Sequence, residues 1–433
     1  MPTSAPDVAF LLRRAGFGAT PARITELMPL GRSALVDAVL STTGEPPIVP
    51  PAILADPDQG DYPKWVAFTQ WWVDRMATSP APIVEKMTLF WHNHFVSGRG
   101  KVESMAAMYQ QNALYRSLAL GDFADLTQRM AIDPAMLHYL DNRFNRVGAP
   151  NQNFARELME LFTIGVGNYT EADVDASARA WTGHRTNNTT GAYEFFAPWH
   201  DTGPKTFMGI TKNWDGPDVI THLLTNATTK NLMARFVARK LWLFLAGPEP
   251  SAGTLTTIAN AFATRFNTTD VLRAIFMHND FWTPAVRQGL VRSPLEFVVA
   301  IMRATGLNGA TANPQWWLGA MGQEPLDPPN VSGWKTNGYW ISTSTASARA
   351  GFARHVSWRA RVAGVLATTA DPSLTAPQAV QLAFDTFGVD QPSARTRSIL
   401  EAWVTAQRTA GQGWAVQPNL LTLVPLTPEF QLA

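Results

Sequence analysis

Asn151-Gln-Asn-Phe-Ala-Arg-Glu-Leu-Met-Glu-Leu-Phe162 carries the period that decides the fold. On a 3.6-residue helix, Asn153, Arg156, Glu157 and Glu160 fall at i, i+3, i+4 and i+7 and share one face over an arc of roughly 100°. Phe154, Leu158, Leu161 and Phe162 take the opposite face, so the spacing predicts an amphipathic helix over 153–164, closed by Gly165 and Gly167. Outward from it, Thr170-Glu-Ala-Asp173 fits a capping box that opens a helix through Trp181, stopped by Gly183. On the other side, Trp65, Phe68, Trp72 and Met76, then Val84, Met87, Leu89 and Phe90, read as two helices broken at Ser79-Pro-Ala-Pro82. Further helical patterns cover 216–226, 228–246, 253–266, 268–278, 284–306 and 346–369, while β-like alternation is confined to about 191–210. The expectation is a mainly α, large multi-helix domain of α/α-barrel-like type over 1–433, with a tightly packed C-terminal helical part at 346–433.

Composition narrows the chemistry. The chain has 46% hydrophobic and 16% charged residues, which suits a sizeable core and excludes wholesale disorder. Cysteine is absent, so disulfides, thiolate metal sites and cysteine nucleophiles are excluded. Net charge is +1, from 35 basic and 34 acidic residues without a basic stripe, which argues against a nucleic-acid partner. Apolar runs fall short of a membrane span. The start, Met1-Pro-Thr-Ser-Ala-Pro6, lacks a leader's basic and apolar regions, so the chain reads as cytoplasmic as written, and as exported if a leader has been removed. Sixteen Trp are an excess that serves either a large core or stacking on sugar rings.

The polar face at 153–160 is the strongest chemical candidate. Two carboxylates beside an arginine and an asparagine can keep one acid protonated and one base ionised, as general acid/base cleavage of a glycosidic bond requires. The same set reads equally as a solvated face with an Arg156–Glu160 i,i+4 ion pair. His92 and His94, in Trp91-His-Asn-His94, form a His-x-His pair that suits a metal or a hydrogen-bonded structural pair. His200, Asp201 and Lys205 lie in polar loop sequence that serves either a site or local capping. Asp141 follows a short helical pattern starting at Pro134. The loop 322–339, with Asp327-Pro-Pro-Asn330-Val-Ser-Gly-Trp334 and Gly338-Tyr-Trp340, suits a ligand-facing platform or a loop packed back through Trp334. A P-loop, a dinucleotide fingerprint, a Gly-x-Ser-x-Gly elbow and His-Glu-x-x-His are all missing from the sequence.

Leu11-Leu-Arg-Arg-Ala-Gly-Phe-Gly18, Phe90-Trp-His-Asn-His-Phe95, the 151–163 stretch, Tyr169-Thr-Glu-Ala-Asp-Val174, Ala180-Trp-Thr-Gly183, His200-Asp-Thr-Gly-Pro-Lys-Thr206 and Pro328-Pro-Asn-Val-Ser-Gly-Trp334 together resemble the bacterial domain-of-unknown-function family 1800. The match runs in order over nearly the whole chain. The resemblance implies export and a sulfatase-like or phosphatase-like partner protein, hence envelope or extracellular polymers. The family motif reads Asn-Glu-Asn, so Gln152 stands at a glutamate position and keeps the shape of an acid/base group without its proton.

These readings favour a carbohydrate-active enzyme, a glycoside hydrolase acting on an oligo- or polysaccharide. Gln152 (the family glutamate position), Glu157 and Glu160 are its catalytic positions. Asn153, Arg156, Asp141, His92, His94, His200, Asp201, Lys205, Asn330, Trp334 and Trp340 would line the substrate, and no cofactor is required. The alternatives are a hydrolase or oxidase holding a divalent metal on His92, His94 and His200, and a non-catalytic polymer-binding accessory protein.

Overall fold

Helices dominate the computed structural model, which describes residues 4–362 and 373–432. Among the described residues there are twenty-four α-helices and two small antiparallel hairpins. In the hairpins His184–Thr186 pairs with Tyr193–Phe195, and Lys205–Phe207 with Ile210–Lys212. β structure therefore begins earlier than the expected 191–210 stretch. The expected helix at 284–306 is two, Pro284–Arg287 and Pro294–Thr305. Ser293 caps the second in a box with Glu296, and Pro294 occupies its first turn, where a missing N–H costs nothing. The helix expected at 346–369 is seen as Thr343–Val362, and its remaining part lies outside the described residues. Ala376–Thr386 and Ala394–Thr409 are helices within the expected C-terminal helical part, beyond the individual patterns read there.

Two apolar cores sit side by side. Phe10, Phe123, Phe162, Trp181 and Leu241 belong to the first, and Phe68, Trp72, Phe297, Phe352 and Leu420 to the second. Helices after Thr343 thus share their core with Asp61–Thr78 and Pro294–Thr305 rather than forming one of their own. The helix Pro82–His94 feeds both cores, Trp91 into the first and Leu89 into the second, and every residue from Ile83 to His92 is buried. Its charged residues must be paired there, because an isolated buried charge is prohibitive. Glu85 accepts from Trp72 Nε1 at 2.8 Å, from Arg116 at 2.6 and 2.9 Å, and from Arg75 Nε at 3.1 Å. Lys86 pairs with Glu296 and rests over the rings of Phe17 and Phe244. Eight of the sixteen Trp are buried, so core packing is a main use of the tryptophan excess.

Candidate functional site

The amphipathic helix at 153–164 forms, but not as a uniform α-helix. Asn153–Glu157 is α-helical, and Leu158–Thr163 is a π-turn, a rare widening often found at functional sites. The widening is stitched by Thr163 Oγ1, which donates to the Leu158 carbonyl at 2.5 Å, and by the Gly165 amide, which donates to the Met159 carbonyl at 2.9 Å. Gly165 closes it in the left-handed region at φ +84°. The wider turn carries Glu160 away from its α-helical position relative to Arg156. Arg156 instead binds Glu171 through both terminal nitrogens at 2.7 Å and reaches Gln152 Oε1 at 3.3 Å. Glu160 accepts from the Tyr169 hydroxyl at 2.6 Å. The Arg156–Glu160 pair of the solvated-face reading is therefore absent.

Glu157 is left in between. Its carboxyl group is partly buried and has no hydrogen-bond partner among the described residues. Burial first, and the neighbouring Glu160 second, push its pKa above the ordinary glutamate value, with Arg156 opposing. Tyr139, at the end of the helix Pro134–Tyr139, is raised by burial and then by the charges of Asp327 and Glu157, so its phenol lies within reach of both fields. Gly98 packs on the Tyr139 ring, where an added Cβ would come within 3.2 Å of the ring and 3.5 Å of Asp327 Oδ1. Arg99 follows, stacks 4.6 Å over Trp65, and lies 3.4 Å from Asp327 and 3.5 Å from Glu324. Lys101 binds Asp141 at 2.7 Å and sits 5.8 Å over Tyr139. The result is an acidic group, Glu157 and Asp327, around one phenol and bordered by two cations.

Three of these residues, Arg99, Lys101 and Tyr139, are absent from the expected site, and Asp327 enters it from the loop read as a platform. The signal that could have marked two of them is Ser97-Gly-Arg-Gly-Lys101, a short run where glycines let backbone and cations approach an aromatic ring. Asp141, expected at the site, joins it through Lys101. Asn153 is exposed at the helix start, its amide held by Asn151 Oδ1 at 2.9 Å.

Other expected residues lie elsewhere, for identifiable reasons. His92 is fully buried among Trp72, Tyr115 and Trp334, which drives its pKa down to about 3. His94 bonds the Phe162 carbonyl at 3.0 Å and is packed between Phe90 and Phe95. They are core histidines on a helix buried on all sides. His200 bonds the Thr182 carbonyl at 2.9 Å, in a different part of the chain. The three do not converge as metal ligands, and among the described residues no three His, Asp or Glu side chains are grouped to hold an ion.

Asp201 is bound by Arg179 at 2.7 Å and by the Gly203 amide at 2.8 Å. Lys205 donates to the carbonyls of Asp201, Gly203 and Trp214, so this pair fastens its own loop. Trp334 and Trp340 are buried, which overturns their reading as a sugar platform. Asn93 holds the loop down, accepting from the Trp334 amide at 2.7 Å and donating to its carbonyl at 3.3 Å. Asn330 makes a local turn with the Ser332 amide at 2.9 Å. Phe144, three residues after Asp141, is exposed and capped by Arg143, while Trp199 is partly buried and flanked by Arg146 and Arg185.

A mainly helical scaffold with a carboxylate-rich face is the class that fold and site define. The family model described as Protein of unknown function (DUF1800) matches residues 10–432, and the chain belongs to that family. No curated protein and no solved structure matches it.

Proposed function

We propose that the protein is a carboxylate acid/base hydrolase, with a glycosidic bond of an oligo- or polysaccharide as its target. The observation that carries this reading is Glu157, a partly buried, unpartnered carboxyl with a raised pKa, three residues from a second carboxylate in a different environment. Two carboxyl groups whose surroundings differ in this way divide into an acid and a base. Glu157 would protonate the leaving oxygen. Glu160, held by Tyr169, would activate water, while Asn153, Lys101 and Asp141 offer donors and acceptors to sugar hydroxyls. Arg156 serves instead to fix position 152 and Glu171. A glutamate at 152 would face the same guanidinium and be held ionised, as a base. The exported location and sulfatase-like partner implied by the family remain part of this proposal.

The test is a screen of the wild-type chain and Gln152→Glu against bacterial and plant polysaccharides, reading released sugars by mass spectrometry. The reading expects products from the wild type and more from Gln152→Glu. Absence of product from both sinks it. A second reading, a non-catalytic polymer-binding protein, is favoured by the partly exposed Trp199 flanked by Arg146 and Arg185, and predicts binding of polymer without turnover.

A further inference from the structure

Lined by none of the carboxylate-face residues, a cavity of about 480 Å³ opens between the helix Thr343–Val362 and the C-terminal segment around Pro428–Gln431. That volume falls within the roughly 300–1,000 Å³ of small-molecule sites. Its walls are apolar, from Val291, Trp340, Ile341, Leu426 and Leu432, and Ile341 stands at its rim 70% exposed. Among the described residues the one charged side chain lining it is Arg349, only 3% exposed. Two of its nitrogens are used, Nη1 on Gln431 Oε1 and Nη2 on the Arg292 carbonyl, each at 2.6 Å. Its buried Nε donor has no partner among the described residues.

An orphaned buried donor calls for an explanation, and here the charge balance supplies one. Arg14, Lys86, Arg292 and Arg349 are all buried, and all are acted on by one buried carboxylate, Glu296. Carbonyl oxygens satisfy many of their donors, but not the excess positive charge. An anionic group beside Arg349 would offset that excess and accept from Nε, while the apolar walls would take a hydrocarbon tail.

We infer that this cavity binds a single-chain amphiphile with an anionic head, a long-chain carboxylate being the simplest member of the class, with the head at Arg349 and the chain along Trp340, Leu426 and Leu432. The site shares no residue with the carboxylate face and stands independently of the hydrolase reading.

Calorimetric titration of the full chain with monomeric dodecanoate tests it, with dodecanol and dodecylammonium as comparators. Dodecanoate is expected to bind once per chain, about tenfold more tightly than either comparator. Arg349→Gln should keep dodecanol binding and lose the preference for the carboxylate. Should that variant fail to fold, Ala346→Trp, at an exposed position on the cavity wall, should abolish binding with the fold intact. No binding of dodecanoate, equal binding of dodecylammonium, or unchanged affinity in Ala346→Trp would overturn the assignment.

Discussion

Asp133 shows how one buried carboxyl ties protonation to the fold. It caps the helix Pro134–Tyr139 by accepting from the Met136 amide at 3.0 Å, and also accepts from Gln111 at 2.7 Å. Burial outweighs these bonds and pushes its pKa from 3.8 up to about 7. The folded state therefore binds more protons than the unfolded one between about pH 3.8 and 7. This group's contribution is full below the lower value, falls as pH rises through the window, and is level above it. Asp133→Asn keeps both acceptor bonds, so the variant should be more stable than wild type at pH 8 and should lose this downward slope. Urea titrations at pH 5 and 8 check this, and an unchanged slope would refute it. At this scale the sequence exposes residue types but not surroundings. Glu157 and Glu160 look equivalent on a helical wheel, and it is the Tyr169 hydroxyl, bound to Glu160 alone, that separates them.

At the scale of elements, most helices are legible because the hydrophobic period is local, and the capping box at Thr170–Asp173 forms as its residues dictate. The π-turn is not legible. Its apolar residues keep a helical spacing, and the widening depends on one hydroxyl and a glycine cap. Thr163→Val removes the bond to the Leu158 carbonyl at nearly constant volume and should cost about 1 kcal/mol of stability. Activity should fall further than stability if the turn places Glu160, and a parallel fall would count against that role. The 322–339 loop misleads in part for a related reason: Tyr339 is exposed as its sequence suggests, but Asn93, between two core histidines, clamps Trp334 inward. Gly333 lies at φ +79°, with an added Cβ only 2.2 Å from Asn93 Oδ1. Gly333→Ala should therefore destabilise by about 2 kcal/mol or more, and thermal unfolding with an unchanged midpoint would contradict the clamp.

Across the whole molecule, the two cores meet at the helix Pro82–His94, and its buried charges make that junction specific. The Trp-His-Asn-His motif invites a metal reading because spacing reports nothing of depth; both imidazoles are enclosed by aromatic rings. Lys86→Met removes the direct ion pair of Glu296, leaving it the Ser293 amide at 2.8 Å and the more distant Arg14, Arg292 and Arg349, and should cost about 1.5–3 kcal/mol. Combining it with Glu296→Gln should recover most of the loss, as denaturant unfolding would show. No recovery would mean that the pair does not act as a unit. The carboxylate face depends on this frame, since Tyr139, Arg99 and Asp327 come from three separate segments that no local pattern joins. The most direct test of its role compares wild type with Glu157→Gln on a polysaccharide panel, reading product release alongside thermal midpoint. The account predicts product from the wild type and its loss by about 100-fold or more in the variant, at an unchanged midpoint. Equal product release by both would contradict it.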